Sequence, residues 1–192
     1  MGLESMKRVL VITGATGAGK TTVSNYLEEK YDMPKVITHT TRAPRPGETD
    51  DVDYHFETKS SMEQLHLLEK VEYDHHQYGS SYEALDQAWE KNSLITIVLD
   101  TKGAQTYYEQ LGEKAVIIFL TVSHSKSLVS RLTRRGDQIS ALEQRIKSEE
   151  YQRDLQLPKS LNNVAHLIVN DHWEETKEKL DKLVASLSNE VK

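Results

Sequence analysis

The chain has 192 residues and a formal net charge of −6, enough for one domain with a hydrophobic core and a small inserted lobe. The acidic balance argues against a duplex-wide nucleic-acid footprint, and zero cysteines exclude disulfides, zinc thiolates and thiol catalysis. No apolar run approaches the ~20 residues of a membrane span and the N-terminus lacks a signal-peptide core, so the expectation is a cytoplasmic protein. In chain order, the apolar β-branched run 7–13 predicts a strand, a glycine-rich loop follows, and 22–30 predicts a helix. Residues 35–39 read as a short strand entering a proline- and charge-rich loop, and 60–68 as a helix. The aromatic, His-rich segment 71–78 reads as an irregular hairpin, and 83–91 as a helix. The near-continuous apolar runs 94–99 and 115–122 fit parallel strands buried on both faces, with a helix over 103–111 between them. Helices are predicted over 125–134 and 140–155, separated by Arg135-Gly136-Asp137, then a strand over 165–169 and a helix over 173–187. Such alternation predicts a three-layer α/β fold.

The loop between the first strand and helix is Gly14-Ala15-Thr16-Gly17-Ala18-Gly19-Lys20-Thr21. It fits glycine, four residues, then Gly-Lys-Ser/Thr, the spacing of a phosphate loop. Backbone N–H groups and a helix N-terminus converge there on one anion. Lys20 can reach the β and γ phosphates, and the Thr21 hydroxyl can ligate magnesium. These eight residues, with Thr22 behind them, are the expected nucleoside-triphosphate site.

A second block, Thr38-His39-Thr40-Thr41-Arg42-Ala43-Pro44-Arg45-Pro46-Gly47-Glu48, narrows the chemistry. Pro44 and Pro46 hold the backbone close to polyproline II, with ~3 residues per turn. Arg42 and Arg45 then project from one edge and form a clamp suited to a phosphate. Tyr54, in Asp53-Tyr54-His55-Phe56, and Tyr78, in Gln77-Tyr78-Gly79-Ser80, offer further hydroxyl donors. The bland alternative is a surface loop with solvated arginines. His75 and His76 are adjacent, so on a strand they face opposite sides and are poorly placed to share a metal; solvated loop histidines are the expected reading, with a metal site that draws in His39 and His55 as the alternative. Trp89 and Trp173 sit at helix edges and are expected to cover core.

Taken in order, these motifs resemble the guanylate kinase family, as do Leu99-Asp100-Thr101-Lys102-Gly103-Ala104, Arg131-Leu132, Arg135-Gly136 and Val169-Asn170-Asp171. The resemblance runs from about residue 8 to 183. It implies a P-loop kinase fold with a parallel central sheet, a small inserted GMP-binding sheet and a helical lid. Core would span residues 1–34, 83–130 and 156–192, the nucleoside-monophosphate subdomain 35–82 and the lid 131–155. By the same resemblance, Arg42, Arg45, Tyr54 and Tyr78 hold the GMP phosphate, and Thr38, Glu72, Ser80 and Asp100 read the guanine. Lys20, Arg131, Arg135 and Arg145 stabilise the transferring phosphoryl group, and Asn170 lies near the adenine. Magnesium accompanies ATP, and the expected partners are the nucleotides alone, with no nucleic acid or membrane, in a monomer or homodimer. The implied reaction is GMP (and dGMP) to GDP at the expense of ATP.

The chain departs from the family pattern at four places. Val98 stands where a second acid is usual, Lys102 replaces a customary glutamine, and Asp51 falls where glycine is common. The stretch 72–78 is several residues short, which leaves Glu69 as the alternative to Glu72. Two other readings stay open: a kinase of the same architecture with another phosphorylated acceptor, and a non-catalytic guanylate-kinase-like binding module. Modules of that kind typically lose the phosphate loop, whereas Gly19, Lys20 and Thr21 are intact here.

Overall fold

The computed structural model describes residues 6–73, 75–134 and 139–189. In chain order they form β1 (Arg8–Thr13), α1 (Lys20–Tyr31), β2 (His39–Thr40), β3 (His55–Phe56), α2 (Lys59–Glu63), β4 (Leu67–Tyr73) and β5 (His76–Ser81). Then follow α3 (Tyr82–Lys91), β6 (Leu94–Val98), α4 (Thr101–Leu111), β7 (Ala115–Thr121), α5 (Ser125–Arg134), α6 (Ile139–Lys147), α7 (Glu149–Asp154), β8 (His166–Val169) and α8 (Trp173–Asn189).

The central sheet has the order β6-β1-β7-β8, with every pair parallel. Alternation along β1 explains why its sequence is apolar throughout. Leu10 and Ile12 enter one core with Leu27, Ile118 and Leu180. Val9 and Val11 enter the other, with Leu85, Ile97 and Tyr107. Both faces are covered by helices, as parallel sheets require. A second sheet, of order β3-β2-β5-β4, is inserted between α1 and α3, and α5, α6 and α7 form the helical lid segment. The result is the expected α/β fold. Among the described residues no helix is long and apolar enough to cross a membrane.

Several local expectations are corrected. The helix expected over 60–68 is only α2: Thr58 caps it, accepting from the Ser61 N–H, and buried Met62 anchors it. Leu67 and Leu68 instead join β4, pairing with β5 from Leu67↔Ser81 to Tyr73↔His76. The hairpin is therefore longer and more regular than the segment 71–78 suggested. Its cross-strand hydrogen bonds override the local helical pattern. The helix expected over 140–155 is two helices. Ser148 breaks it, donating to the Arg145 carbonyl and accepting from the Tyr151 N–H as the cap of α7. The strand expected over 35–39 is displaced to β2, leaving Lys35 in a single bridge to Thr96. His75 lies outside β5 with φ 63°, so the opposite-face argument does not apply to it.

Candidate active site

The phosphate loop runs from the end of β1 into α1, and two of its glycines are dictated by space. Gly14 has φ 134°, and a Cβ there would stand 2.2 Å from the Leu120 carbonyl oxygen. Gly19 has φ 103°, and its Cβ would meet the Asn170 side-chain nitrogen at 2.4 Å. Only glycine fits either position. Lys20 opens α1 and donates from Nζ to the carbonyls of Gly14 at 2.7 Å and Ala15 at 3.1 Å. Its ammonium thus lies over the loop, beside a cavity of about 650 Å³ lined by Thr16, Gly17, Gly19, Thr21 and Thr22. Ala15 and Ala18 are buried beneath the loop.

Other elements complete this cavity. Arg131, on α5, donates to the Asn170 carbonyl at 2.6 Å and to the Gly17 carbonyl at 3.4 Å. Asn170 follows β8; its amide donates to the Ala18 carbonyl at 2.8 Å and its oxygen accepts from Thr176. Asn170 therefore braces the loop as well as lining the cavity. Arg134, the last residue of α5, also lines it, as does Trp173. Trp173 packs edge-on to Tyr26, and Trp89 donates to the Arg8 carbonyl, so both also cover core. Arg145 is exposed on α6 and is not part of this cavity wall. Arg135 lies outside the described residues.

Thr21 is exposed and lines a second cavity too, of about 340 Å³, with Thr38, Asp53, Tyr54 and Val98. One threonine hydroxyl at the meeting of two polar clefts suits magnesium, which keeps most of its shell as water and phosphate oxygens. Val98 adds no carboxylate. Among the described residues no cluster of three His, Asp or Glu side chains is poised to hold a metal by itself. His39 is buried between Glu57 and Ser81, at 2.9 and 2.7 Å, and burial lowers its pKa.

In the inserted sheet, Arg42 makes a two-point pair with Glu48, both contacts at 2.9 Å, and lies 5.5 Å from the Tyr54 ring centre. Glu48 also accepts from the Arg45 backbone N–H at 2.7 Å. That carboxylate raises the Arg42 pKa, closes the turn and fixes the plane of the guanidinium. The Tyr54 and Tyr78 rings stand 6.3 Å apart, nearly perpendicular, and Tyr78 also interacts with Arg42. Arg42, Tyr54 and Tyr78 therefore form one cluster, with Arg45 exposed at its edge.

The carboxylates fall differently from the first assignment. On β4, Glu69 pairs with Ser80 and Glu72 with Gln77. Residues three apart on a strand face opposite sides. Glu69 faces a cavity of about 200 Å³ that Asp100 also lines, whereas Glu72 is exposed and absent from it. The geometry thus brings together Glu69, Ser80 and Asp100, leaves Glu72 outside, and puts Thr38 in the neighbouring cleft. Burial and the nearby Asp100 charge push the Glu69 carboxyl from 4.5 up to about 7. Asp100 caps α4, accepting from Gly103 N–H at 2.6 Å and from Arg153 at 2.8 Å.

Arg153 was not foreseen. It ends the lid segment, and its Nε donates at 2.9 Å to buried Asp154, which accepts from Thr101 as well. It lies in no motif; only its place at the end of a polar helix facing α4 could have signalled it. Glu48 was legible in the Pro-Gly-Glu block, but its pairing with Arg42 was not.

The guanylate kinase family model matches residues 6–187. A guanylate kinase of Helicobacter hepaticus is 32% identical over 187 residues, which cover 93% of this chain and 90% of that one. One of Thermus thermophilus is 32% identical over 173 residues, 88% of this chain and 76% of its own. The crystal structure of guanylate kinase from Anaplasma phagocytophilum has a TM-score of 0.63 at 22% identity, covering 96% of this chain and 88% of that one. That likeness extends the common fold through both sheets. With a phosphate loop and an arginine–tyrosine cluster inside a match of this length, the chain belongs to the guanylate kinase family.

Proposed function

We propose that the protein transfers the γ-phosphoryl group of ATP to GMP, and to its deoxy form. The observation that carries this reading is the carboxylate pair of Glu69 on β4 and Asp100 at the start of α4, which line one cavity, with Ser80, the strand partner of Glu69, two residues from Tyr78 of the Arg42–Tyr54–Tyr78 cluster on β5. Guanine presents N1–H and an exocyclic amine, two donor groups that two carboxylates can accept. Adenine has no N1–H and would leave a buried acceptor unpaired, which discriminates by up to ~10⁴. In this reading Glu69, rather than Glu72, takes the role beside Asp100.

The monophosphate is already an anionic nucleophile at neutral pH, so the protein needs no general base. Arg42 and Arg45, with the Tyr54 and Tyr78 hydroxyls, hold and orient that phosphate. Lys20 and the loop N–H groups hold the β and γ oxygens of the donor, and Arg131 adds positive charge from α5. Thr21 would hold the magnesium ion of Mg-ATP, which neutralises phosphate charge when bound. Catalysis is then alignment plus charge stabilisation, and closure of α5–α7 excludes water from the γ-phosphate.

ADP release from Mg-ATP with GMP, dGMP, AMP, CMP, UMP, dTMP and no acceptor tests the reading. Turnover with GMP and dGMP alone is expected. Turnover with a different acceptor alone overturns the base assignment, and none with any acceptor overturns the activity.

Arg42→Ala should raise KM for GMP by about 10- to 100-fold, the worth of charge-assisted hydrogen bonds to a phosphate. ATP binding without GMP, followed by calorimetry, should stay within about twofold, because Arg42 lies outside the P-loop cavity. Weakened ATP binding with an unchanged KM for GMP would put the acceptor phosphate elsewhere.

A further inference from the structure

Tyr107 is completely buried on α4, in line with Gly103 and Ala104 on the face that meets the sheet. Position alone makes it a core residue. Its hydroxyl is nevertheless engaged in a specific way. It donates to Ser80 Oγ at 2.7 Å, and Ser80, equally buried, donates to Glu69 Oε1 at 3.3 Å. Proton counting fixes the direction of this chain. Each hydroxyl owns one proton, and an ionised carboxylate only accepts. Ser80 can give its proton to Glu69 while its lone pair takes the proton of Tyr107. The arrangement is matched to the ionised carboxylate, and it commits the Ser80 proton to Glu69 rather than to a base oxygen.

We propose that Tyr107 is a positioning residue for acceptor recognition: through Ser80 it orients Glu69 and favours its ionised, hydrogen-bond-accepting form. The proposal rests on the reading that Glu69 accepts from guanine. The need for such support is visible in what surrounds Glu69. Asp100, from the start of α4, faces it with like charge, and Arg153 of α7 takes part of that charge. Lys102 of α4 and Lys70 of β4 line the same cavity but are exposed, so solvent screens them. Burial is the largest influence raising the carboxyl to about 7, Asp100 the next, and the Ser80 hydroxyl and backbone pull it down. Near its midpoint at neutral pH, the group responds to a small change in hydrogen bonding. A hydroxyl that itself receives a hydrogen bond is a stronger donor, so losing the phenol weakens the pull of Ser80 and raises the Glu69 pKa further. The ionised fraction at a given pH then falls.

Tyr107→Phe keeps the ring and removes only the hydroxyl. Two measurements on the full chain test the idea. The first is ¹³C-carboxyl NMR titration of Glu69 without nucleotide. The second is the acid limb of kcat/KM for GMP. Both midpoints should move to higher pH by about 0.3 to 1 unit, while kcat at saturating nucleotide and pH 9 stays within about twofold. Ser80→Ala should move the NMR midpoint at least as far, and the double variant no further than Ser80→Ala alone. An unmoved Glu69 titration in both single variants, with kcat/KM lowered equally at every pH, overturns the proposal and leaves Tyr107 a packing residue. A shifted titration in a protein that does not turn over GMP supports the hydrogen-bond relay and overturns the guanine reading instead.

Discussion

Lys20→Ala is expected to lower kcat by about 10²- to 10³-fold, the usual cost of removing one preorganised donor from a site of developing charge. Lys20 Nζ rests on the Gly14 and Ala15 carbonyls, 2.7 and 3.1 Å away, at the wall of the cleft of about 650 Å³. Those carbonyls hold the ammonium over the loop, where a triphosphate can take it up with little reorganisation. The backbone N–H groups of the loop remain in the variant, so ATP affinity should fall much less than kcat. Stability should change by only about 1 kcal/mol, because the two lost bonds are partly exposed and water replaces them. Steady-state kinetics, ATP calorimetry and urea denaturation separate these effects. Near-normal turnover in a folded variant would remove Lys20 from the chemistry. A large loss of stability would instead make it a structural brace of the loop.

The parts of the site that were legible in the sequence are those whose geometry is set within a few residues. Gly14 and Gly19 announce positive φ and close approach, and Lys20 and Thr21 follow at fixed spacing. The arginine–proline block places Arg42 and Arg45 in one loop, which turns at Pro46-Gly47, with Glu48 N–H donating to the Arg45 carbonyl at 3.0 Å, rather than running extended. The buried strands β1, β6 and β7 were equally plain, because a parallel strand covered on both faces must be apolar throughout. What escaped depends on partners far along the chain. Which of Glu69 and Glu72 faces Asp100 is a question of strand parity, set by the pairing of β4 with β5 and by the register shift between Leu67 and Glu69. Leu67 and Leu68 follow a helical pattern until that pairing claims them. Ser148 reads as an ordinary helix residue until its side chain caps α7. Arg153 and Tyr107 have meaning only through contacts 53 and 27 residues away.

Glu69→Gln and Glu72→Gln should differ sharply, and the contrast tests the strand parity directly. In Glu69→Gln one carboxylate oxygen becomes an NH₂ donor, which meets a guanine edge that also presents donors. An unpaired buried polar group costs about 1–3 kcal/mol, so kcat/KM for GMP should fall by roughly 10- to 100-fold, with weaker preference over other bases. The pH profile should change too. Glu69 accepts fully only when ionised, so the parent enzyme should lose kcat/KM for GMP as pH falls through about 7. Glu69→Gln has nothing to titrate there, and its profile should be flat across that range.

Stability should move the opposite way. The Glu69 pKa is about 7 in the fold against 4.5 for an ordinary glutamate. Between those values the folded state binds more protons than the unfolded chain, so stability falls as pH rises from 4.5 to 7. Above pH 7 the ionised group is a standing cost of about 1–3 kcal/mol, and Glu69→Gln should be more stable than the parent by a similar amount at pH 8. At pH 4 the difference should vanish. Glu72→Gln, exposed and outside the cavity, should change neither stability nor base choice at any pH. Chemical denaturation at pH 4 and pH 8, with kinetics against GMP and AMP, reads all of these at once. If Glu72→Gln relaxes base choice and Glu69→Gln does not, the guanine edge is read from the other face of β4. A protein stabilised by losing the carboxylate that recognises its substrate would mark Glu69 as a residue held against folding's interest for the sake of binding.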